Sequence, residues 1–391
     1  MDWLDRRVAL RVAIVNLTSG GLSGGYRKYL CKLLPLIAKQ YAELELNVFI
    51  PAQRCEDFAL PGVSVRTWPA GLFRGSIDLL RREVTKLRPE VVFIPTARWI
   101  DFQGIPTVVM LRNMEPLVAP CAGNPWRERL VNCARAWEAR SACRRATRII
   151  AVSKFVQTFL MQRWKIDPEK IGLVYHGVDE EVVPAEPPPS IAAACSGRFL
   201  FTAGSIRPAR GLEELLCALA RVKGLGHLEC LIVAGCADPG MMGFKGRLEQ
   251  MAQELGVAEQ VIWAGQLSAQ EMAWCFKHSI AFVMSSHAEA CPNIVLEALA
   301  GGAICVSTDQ EPMPEFFGNA ALYYQRKNPD ALANKIIQTL RLSEAQRTDL
   351  RQRAKWRSMD FRWENTAKET LQQLQLVAGA SWRGGLTIKI E

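Results

Sequence analysis

Histidine is scarce: this chain of 391 residues has four. Its twelve cysteines stand singly, and no two are spaced Cys-x-x-Cys. The sequence therefore lacks the pattern of a zinc site, and its cysteine spacing outlines no disulfide framework. Scattered cysteines of this kind suit a reducing compartment, where they serve as small apolar core residues. No apolar run reaches the roughly 20 residues of a bilayer-spanning helix. The opening Met1-Asp-Trp-Leu-Asp-Arg-Arg7 carries charge ahead of the first apolar run and has no signal core, so export is not expected. There is no G-x-x-x-x-G-K-[ST] loop and no G-x-G-x-x-G turn, so neither pattern points to a bound cofactor. Basic residues form no long run and no RNA-binding signature accompanies them, which argues against nucleic acid.

What is present is a chain that is 49% hydrophobic and long for one core, so two domains are expected. The net charge of +9 is unevenly placed. Residues 1–190 hold 27 Lys and Arg against 19 Asp and Glu, or +8, and residues 191–391 hold 21 against 20, or +1. The basic half reads either as a face for an anionic membrane or anionic acceptor, or as a generally basic surface.

Short apolar runs alternate with helical patterns along the whole chain, as in doubly wound parallel sheets. The first run, Leu10 to Leu17, leads into Thr18-Ser-Gly-Gly-Leu-Ser-Gly-Gly25 and then a helix from Tyr26 to about Gln40. The glycine-rich turn reads as a place where backbone approaches a phosphate, through Gly24 and Gly25, or as a plain tight turn. The run Ile105 to Asn113 ends in polar Arg112 and Asn113. Arg112 suits a phosphate or an acceptor charge and Asn113 a sugar hydroxyl, or the pair simply caps the loop that follows. A helix is expected over 125–145, with Leu130, Val131, Ala134 and Trp137 packed on the core and six arginines on a solvated face. Ser153 reads as a helix N-cap and His176 as structural.

Pro184 to Ser190 reads as a stiff linker. Beyond it, Arg207 and Arg210 follow the apolar run Phe199 to Ala203, and two guanidinium forks there suit a diphosphate. The segment Cys236 to Gly246 reads as a flexible, Met-rich loop. The most informative stretch is Ser285-Ser-His-Ala-Glu-Ala-Cys-Pro-Asn-Ile-Val-Leu-Glu-Ala-Leu-Ala-Gly-Gly302. It follows a buried strand, its helix starts at Pro292 and Asn293, and Gly301 and Gly302 end that helix. Glu289 then lies in the loop and Glu297 about one turn into the helix. The amides of Asn293, Ile294 and Val295 are expected to be unpaired and fit to hold an anion.

Glu289-x7-Glu297 with Pro-Asn-Ile-Val-Leu between resembles the E-x7-E signature of family 4 retaining glycosyltransferases of the GT-B fold. The segment Gly177-Val-Asp179 and the Arg207–Arg210 loop resemble further family motifs, although Ser205 stands where the first Arg of that loop is usual. The resemblance implies two doubly wound, Rossmann-like α/β domains facing a cleft. It places an acceptor-side domain at 1–183, a linker at 184–197, a donor domain at 198–358, and at 359–391 a helix crossing back plus a tail. It implies transfer of a hexose from a nucleotide-diphosphate sugar to a hydroxyl of a glycan or lipid-linked glycan, with retention. Glu289 would meet the sugar hydroxyls, Glu297 the ribose, and Arg207, Arg210 and the helix amides the diphosphate. No metal and no cofactor are implied, and the setting is cytoplasmic or peripheral on the inner membrane face. In the family a His commonly follows the strand that here ends in Arg112 and Asn113. That departure leaves open a non-catalytic sugar-nucleotide-binding subunit, and a nucleotide-sugar epimerase on the same fold is a third reading.

Overall fold

The structure is a computed structural model that describes residues 10–18, 24–41, 44–58, 60–61, 63–69, 74–119, 123–180, 182–184, 186–192, 198–225 and 228–378. Described residues within Met1–Arg112, Arg135–Gly177 and Trp363–Glu391 form one compact unit, and those within Asn113–Ala134 and Val178–Arg362 form the other. Arg112 and Asn113, neighbours in sequence, thus fall in different units.

The first unit is built on seven strands: β1 (Leu10–Val15), β2 (Leu44–Pro51), β3 (Ser64–Trp68), β4 (Val91–Ile94), β5 (Thr107–Leu111), β6 (Arg148–Ala151) and β7 (Ile171–Leu173). They lie in the order β3-β2-β1-β4-β5-β6-β7, and every pairing is parallel. The reason is legible in the residues. β4 is apolar throughout, β5 is apolar after Thr107, and both are buried throughout, as strands covered on both faces must be. The helix Trp363–Ala378 packs within this unit against β4, β5 and β6, burying Trp363, Ala367, Leu371 and Leu374.

The second unit has six strands: β8 (Arg198–Ala203), β9 (Leu228–Ala234), β10 (Val261–Gly265), β11 (Ala281–Met284), β12 (Cys305–Thr308) and β13 (Ala321–Tyr324). Their order is β10-β9-β8-β11-β12-β13, again all parallel. Leu215, Leu219, Val233, Phe244, Val283 and Ile336 belong to its continuous core. Among the described residues, three of its helix starts carry side-chain caps, from Ser268, Asn328 and Ser343. Ser268 and Glu271 form a reciprocal capping box before the helix Ala269–His278. In the first unit Ser153 Oγ accepts from the Val156 amide, so it is the N-cap its sequence predicts.

Several expectations are corrected. Leu130, Val131, Ala134 and Trp137 do not pack on the core but are exposed on the helix Trp126–Arg145. Its buried face is made of Asn132, Ala139, Ala142 and Cys143, whose small side chains let the helix lie close to its neighbours. The segment expected as a flexible loop from Cys236 to Gly246 holds the turn Pro239–Met241 and the start of the helix Met242–Glu254. Phe244, Leu248 and Ala252 recur every four residues there and are buried, which outweighs the Met and Gly composition. A short helix, Glu115–Val118, occupies the stretch after Asn113 read as a loop. Cys230 is disulfide-bonded, contrary to the expectation of cysteines that are all free. Most of the glycine-rich turn after β1 and the tail beyond Ala378 lie outside the described residues.

Candidate functional site

The site forms where the strand order of the second sheet reverses. β8 and β11 are neighbours, yet the chain goes from β8 to β9 on one side and from β11 to β12 on the other. The loops that follow the two strands diverge from that point and leave a crevice outside the carboxyl ends of the strands. The crevice is narrow, with about 10 Å³ of free space, and is lined by Gly204, Ser205, Arg210, Leu212, Ser285 and Ser286 with their neighbours.

The two loops are laced together. The His287 amide donates to the Ala209 carbonyl at 2.7 Å. Ser285 Oγ donates to the Arg210 carbonyl at 2.8 Å, and Arg210 Nη1 donates to Ser286 Oγ at 3.2 Å. The same guanidinium is paired with the Glu289 carboxylate. Burial pushes the Glu289 carboxyl above its usual range, Arg210 and a hydrogen bond from Ser286 pull it back, and the charge of Glu115 adds to the upward push. Gly211 makes the lacing possible. Its φ is +63°, and a Cβ there would stand 2.3 Å from the Ser285 carbonyl oxygen.

Arg207 sits in the same loop but is already engaged. Its Nη1 donates to Glu115 Oε2 at 2.5 Å and its Nη2 to Asp238 Oδ2 at 3.1 Å. Burial works against the Arg207 charge, but Glu115, aided by Asp238 and Glu128, outweighs it and holds the guanidinium above its ordinary pKa. Glu115 itself is buried, and nothing in the sequence reading singled it out. The available signal was Pro116: proline in the first turn marks a helix start, and an acid beside it favours the same position.

Asn293, Ile294 and Val295 open the helix Asn293–Ala300 as expected. The amide of Val295 is not available for an anion, because it donates to the Pro292 carbonyl at 2.9 Å. A turn that tightens at a helix start consumes a donor that the simple count of orphan amides leaves open. Glu297 is half-buried one turn into the helix, and its own carbonyl accepts from the Gly301 amide.

The remaining predicted residues are distributed over the two units. Asn113 Oδ1 accepts from the Glu115 amide at 3.1 Å, so it caps the turn that presents Glu115. Arg112, in the first unit, lies over the Tyr26 ring at 4.6 Å and near the Tyr29 ring at 5.7 Å. Gly24 and Gly25 are the first two residues of the helix Gly24–Gln40, also in the first unit. His176 is buried against Tyr29, with ring centroids 4.9 Å apart, in keeping with its structural reading.

A second group beside the crevice was not foreseen. His287 Nε2 lies 3.1 Å from Glu214 Oε1, and Tyr324 donates to the other Glu214 oxygen at 3.2 Å. Burial, helped by the charges of Arg326 and Lys327, pulls the His287 pKa down to about 4, so its ring is neutral at pH 7. Among the described residues, no three His, Cys, Asp or Glu side chains gather as metal ligands do, and no helix is long and apolar enough to cross a membrane.

Two family profiles match the chain in succession. One, described as Glycosyltransferase Family 4, matches residues 37–182, and one described as Glycosyl transferases group 1 matches residues 190–357. Among curated proteins, the chain is similar to a D-inositol 3-phosphate glycosyltransferase of Streptomyces scabiei, 26% identical over 305 residues, or 73% of this chain and 64% of that one. The corresponding protein of Frankia alni is 26% identical over 237 residues, or 58% of each chain. The matched stretch thus spans under two thirds of these relatives' length. Among solved structures, the sucrose-phosphate synthase of Thermosynechococcus elongatus superposes with a TM-score of 0.73 at 17% identity, over 95% of this chain and 100% of that one. Anabaena HepE in complex with UDP and glucose gives 0.71 at 16% identity, over 94% and 100%.

Proposed function

Because the chain belongs to the family 4 glycosyltransferases of the GT-B fold, we propose that it moves a hexose from a nucleoside-diphosphate sugar to a hydroxyl of a glycan or lipid-linked glycan, with retention at the anomeric carbon. The observation that carries this reading is the crevice at the β8–β11 reversal, with Arg210 and Glu289 paired at its rim. A diphosphate entering there exchanges the carboxylate partner of Arg210 for phosphate oxygens, and Glu289 is released to accept hydrogen bonds from sugar hydroxyls. Arg207, oriented by Glu115 and Asp238, adds a second positive charge. The amides of Asn293 and Ile294 and the positive end of their helix add to the anion field. As the nucleoside diphosphate departs, these groups stabilise its growing charge, which is the role a metal plays elsewhere. We therefore read the reaction as metal-independent and without cofactor. Glu297 is assigned to the ribose hydroxyls, Gly24 and Gly25 to a phosphate, and Arg112 to a phosphate or an acceptor charge. With eight described cysteines free and one disulfide-bonded, we retain a cytoplasmic setting.

One observation favours a second reading. Where the family commonly has a His, Arg112 is held over two tyrosine rings and Asn113 is spent on a cap. A sugar-nucleotide-binding subunit without turnover would look the same. A thermal-shift screen of nucleoside-diphosphate sugars, beginning with UDP sugars because Anabaena HepE was crystallised with UDP, identifies the donor. Release of nucleoside diphosphate from that donor supports the transferase. Binding without release supports the second reading, and no shift with any donor overturns both.

A further inference from the structure

Asn124 is 2% exposed, yet among the described residues neither its Oδ1 nor its Nδ2 has a hydrogen-bond partner. Glu115 is 7% exposed, and only one of its oxygens is engaged: Oε2 accepts from Arg207 Nη1, and Oε1 has no partner. Arg207 spends Nη1 on Glu115 and Nη2 on Asp238, and its buried Nε has no partner either. Folding strips water from such groups and returns nothing for it, so each calls for an explanation.

The three residues are neighbours. Glu115 and Arg207 form one ion pair, so Oε1 and Nε flank it. A Cβ on Gly123 would stand 2.9 Å from Pro208 Cβ, so Asn124, the next residue, adjoins the loop that carries Arg207 and Arg210. Arg129 Nε donates to the Asn124 carbonyl at 2.8 Å and holds that backbone in place. The group also borders the donor site, because the charges of Glu115 and Arg207 both act on the Glu289 carboxyl. Glu115, Asn124, Arg207 and Glu289 all belong to the second unit.

The unmet donors and acceptors select the ligand. A carboxylate oxygen only accepts, a guanidinium N–H only donates, and a carboxamide accepts at one end and donates at the other. A phosphate oxygen has no proton to give Glu115 Oε1 and is repelled by its charge. An ammonium group has no lone pair for Arg207 Nε or Asn124 Nδ2. A hydroxyl does both, donating its proton and accepting on its oxygen. We propose that Glu115 Oε1, Arg207 Nε and the Asn124 carboxamide form a subsite for hydroxyls of the donor's hexose. The sugar hydroxyls donate to Glu115 Oε1 and Asn124 Oδ1 and accept from Arg207 Nε and Asn124 Nδ2. The proposal rests on the reading of the crevice as a sugar-nucleotide site, and it adds Glu115 and Asn124 to Glu289 as the residues that recognise the sugar.

Calorimetry on the full chain compares a sugar nucleotide with its parent nucleoside diphosphate. UDP-glucose with UDP is the first pair, and the donor found by the thermal-shift screen with its own diphosphate is the second. The ratio of the two affinities isolates the sugar. Asn124→Leu keeps the size of the side chain and removes its carboxamide. Because that carboxamide has no partner in the fold, the unfolding midpoint of the variant should stay in place or rise. Its affinity for the sugar nucleotide should fall roughly fivefold to tenfold, with affinity for the diphosphate unchanged. Glu115→Gln, which still offers Arg207 an acceptor, should lower the same ratio. A ratio that both variants leave unchanged overturns the proposal, as does an equal loss for sugar nucleotide and diphosphate, which would tie these residues to the phosphates or to the loop alone. A lower midpoint of Asn124→Leu with an unchanged ratio also overturns it, because Asn124 would then hold an ordered water only. If no sugar nucleotide binds the wild type, the donor-site reading fails and this proposal with it. If the donor binds and the ratio does not move, this proposal alone fails.

Discussion

Arg210→Ala removes the cation against which the Glu289 carboxylate is held. Glu289 is already above its usual range, because burial outweighs the pull of Arg210. Without the guanidinium, the carboxylate either stays ionised with no counter-charge or takes up a proton. Breaking a buried ion pair by removing one partner costs about 3–5 kcal/mol. The two side chains keep 24% and 13% of their exposure, so solvent screens part of the loss. The lower end, about 3 kcal/mol, is therefore expected. At roughly 2–4 °C per kcal/mol for a unit of this size, the unfolding midpoint should fall by about 6–12 °C. The pH dependence follows from linkage. A carboxyl whose folded pKa lies above its unfolded value of about 4.3 binds more protons when folded, so its contribution to stability falls as pH rises through that window. Losing Arg210 raises the folded value further and extends the window upward. The deficit of Arg210→Ala should thus be larger at pH 8 than at pH 5, and adding Glu289→Gln should recover most of it. Thermal unfolding of the full chain at both pH values measures this. An equal deficit at pH 5 and pH 8, or a double variant no better than the single one, would refute the reasoning.

Gly211→Ala should cost more than about 1 kcal/mol, since the new Cβ is strained in φ and meets the Ser285 carbonyl. Gly224→Ala, with φ +77° but open space around it, should cost less in the same denaturation series. Glu297→Gln should reduce the preference for ribonucleoside over 2′-deoxyribonucleoside diphosphate, and a preference that is unchanged in competition binding would remove Glu297 from the ribose. Ser268→Ala should lower stability by about 1 kcal/mol through loss of the capping box, read as a shift in denaturation midpoint.

Much of this fold is written locally. Fully apolar β4 and β11, and β5 after its first residue Thr107, announce parallel strands covered on both faces, and Ser153 and Ser268 mark helix starts by their own hydrogen bonds. Glu289, Arg207 and Arg210 stood out for the same reason: each follows a strand end by a few residues, and Glu297 stood out by its spacing from Glu289, one turn into the helix that follows. What escaped depended on distant partners. Glu115 belongs to the second unit and meets Arg207 across 92 positions in the chain, and no local pattern encodes that. Val295 loses its free amide to a one-turn contact with Pro292 that orphan counting ignores. The helix from Trp126 misled because spacing reports that a stripe exists, not which of two stripes is buried. Trp137 and Leu130 form one, Ala139, Ala142 and Cys143 the other, and close packing favoured the small side chains.

The central claim is that the crevice at the β8–β11 reversal takes the diphosphate of a sugar donor. Its most direct test is titration calorimetry of UDP, or of the nucleoside diphosphate of the donor found by screening, with EDTA present throughout. Wild type should bind saturably. Arg207→Ala and Arg210→Ala should each weaken binding roughly tenfold or more, the loss of about 1.5–3 kcal/mol expected for a hydrogen bond to a charged group. Affinity unchanged in both single variants and in the double variant would contradict the claim, and binding that appears only on adding Mg²⁺ or Mn²⁺ would contradict its metal-independent form.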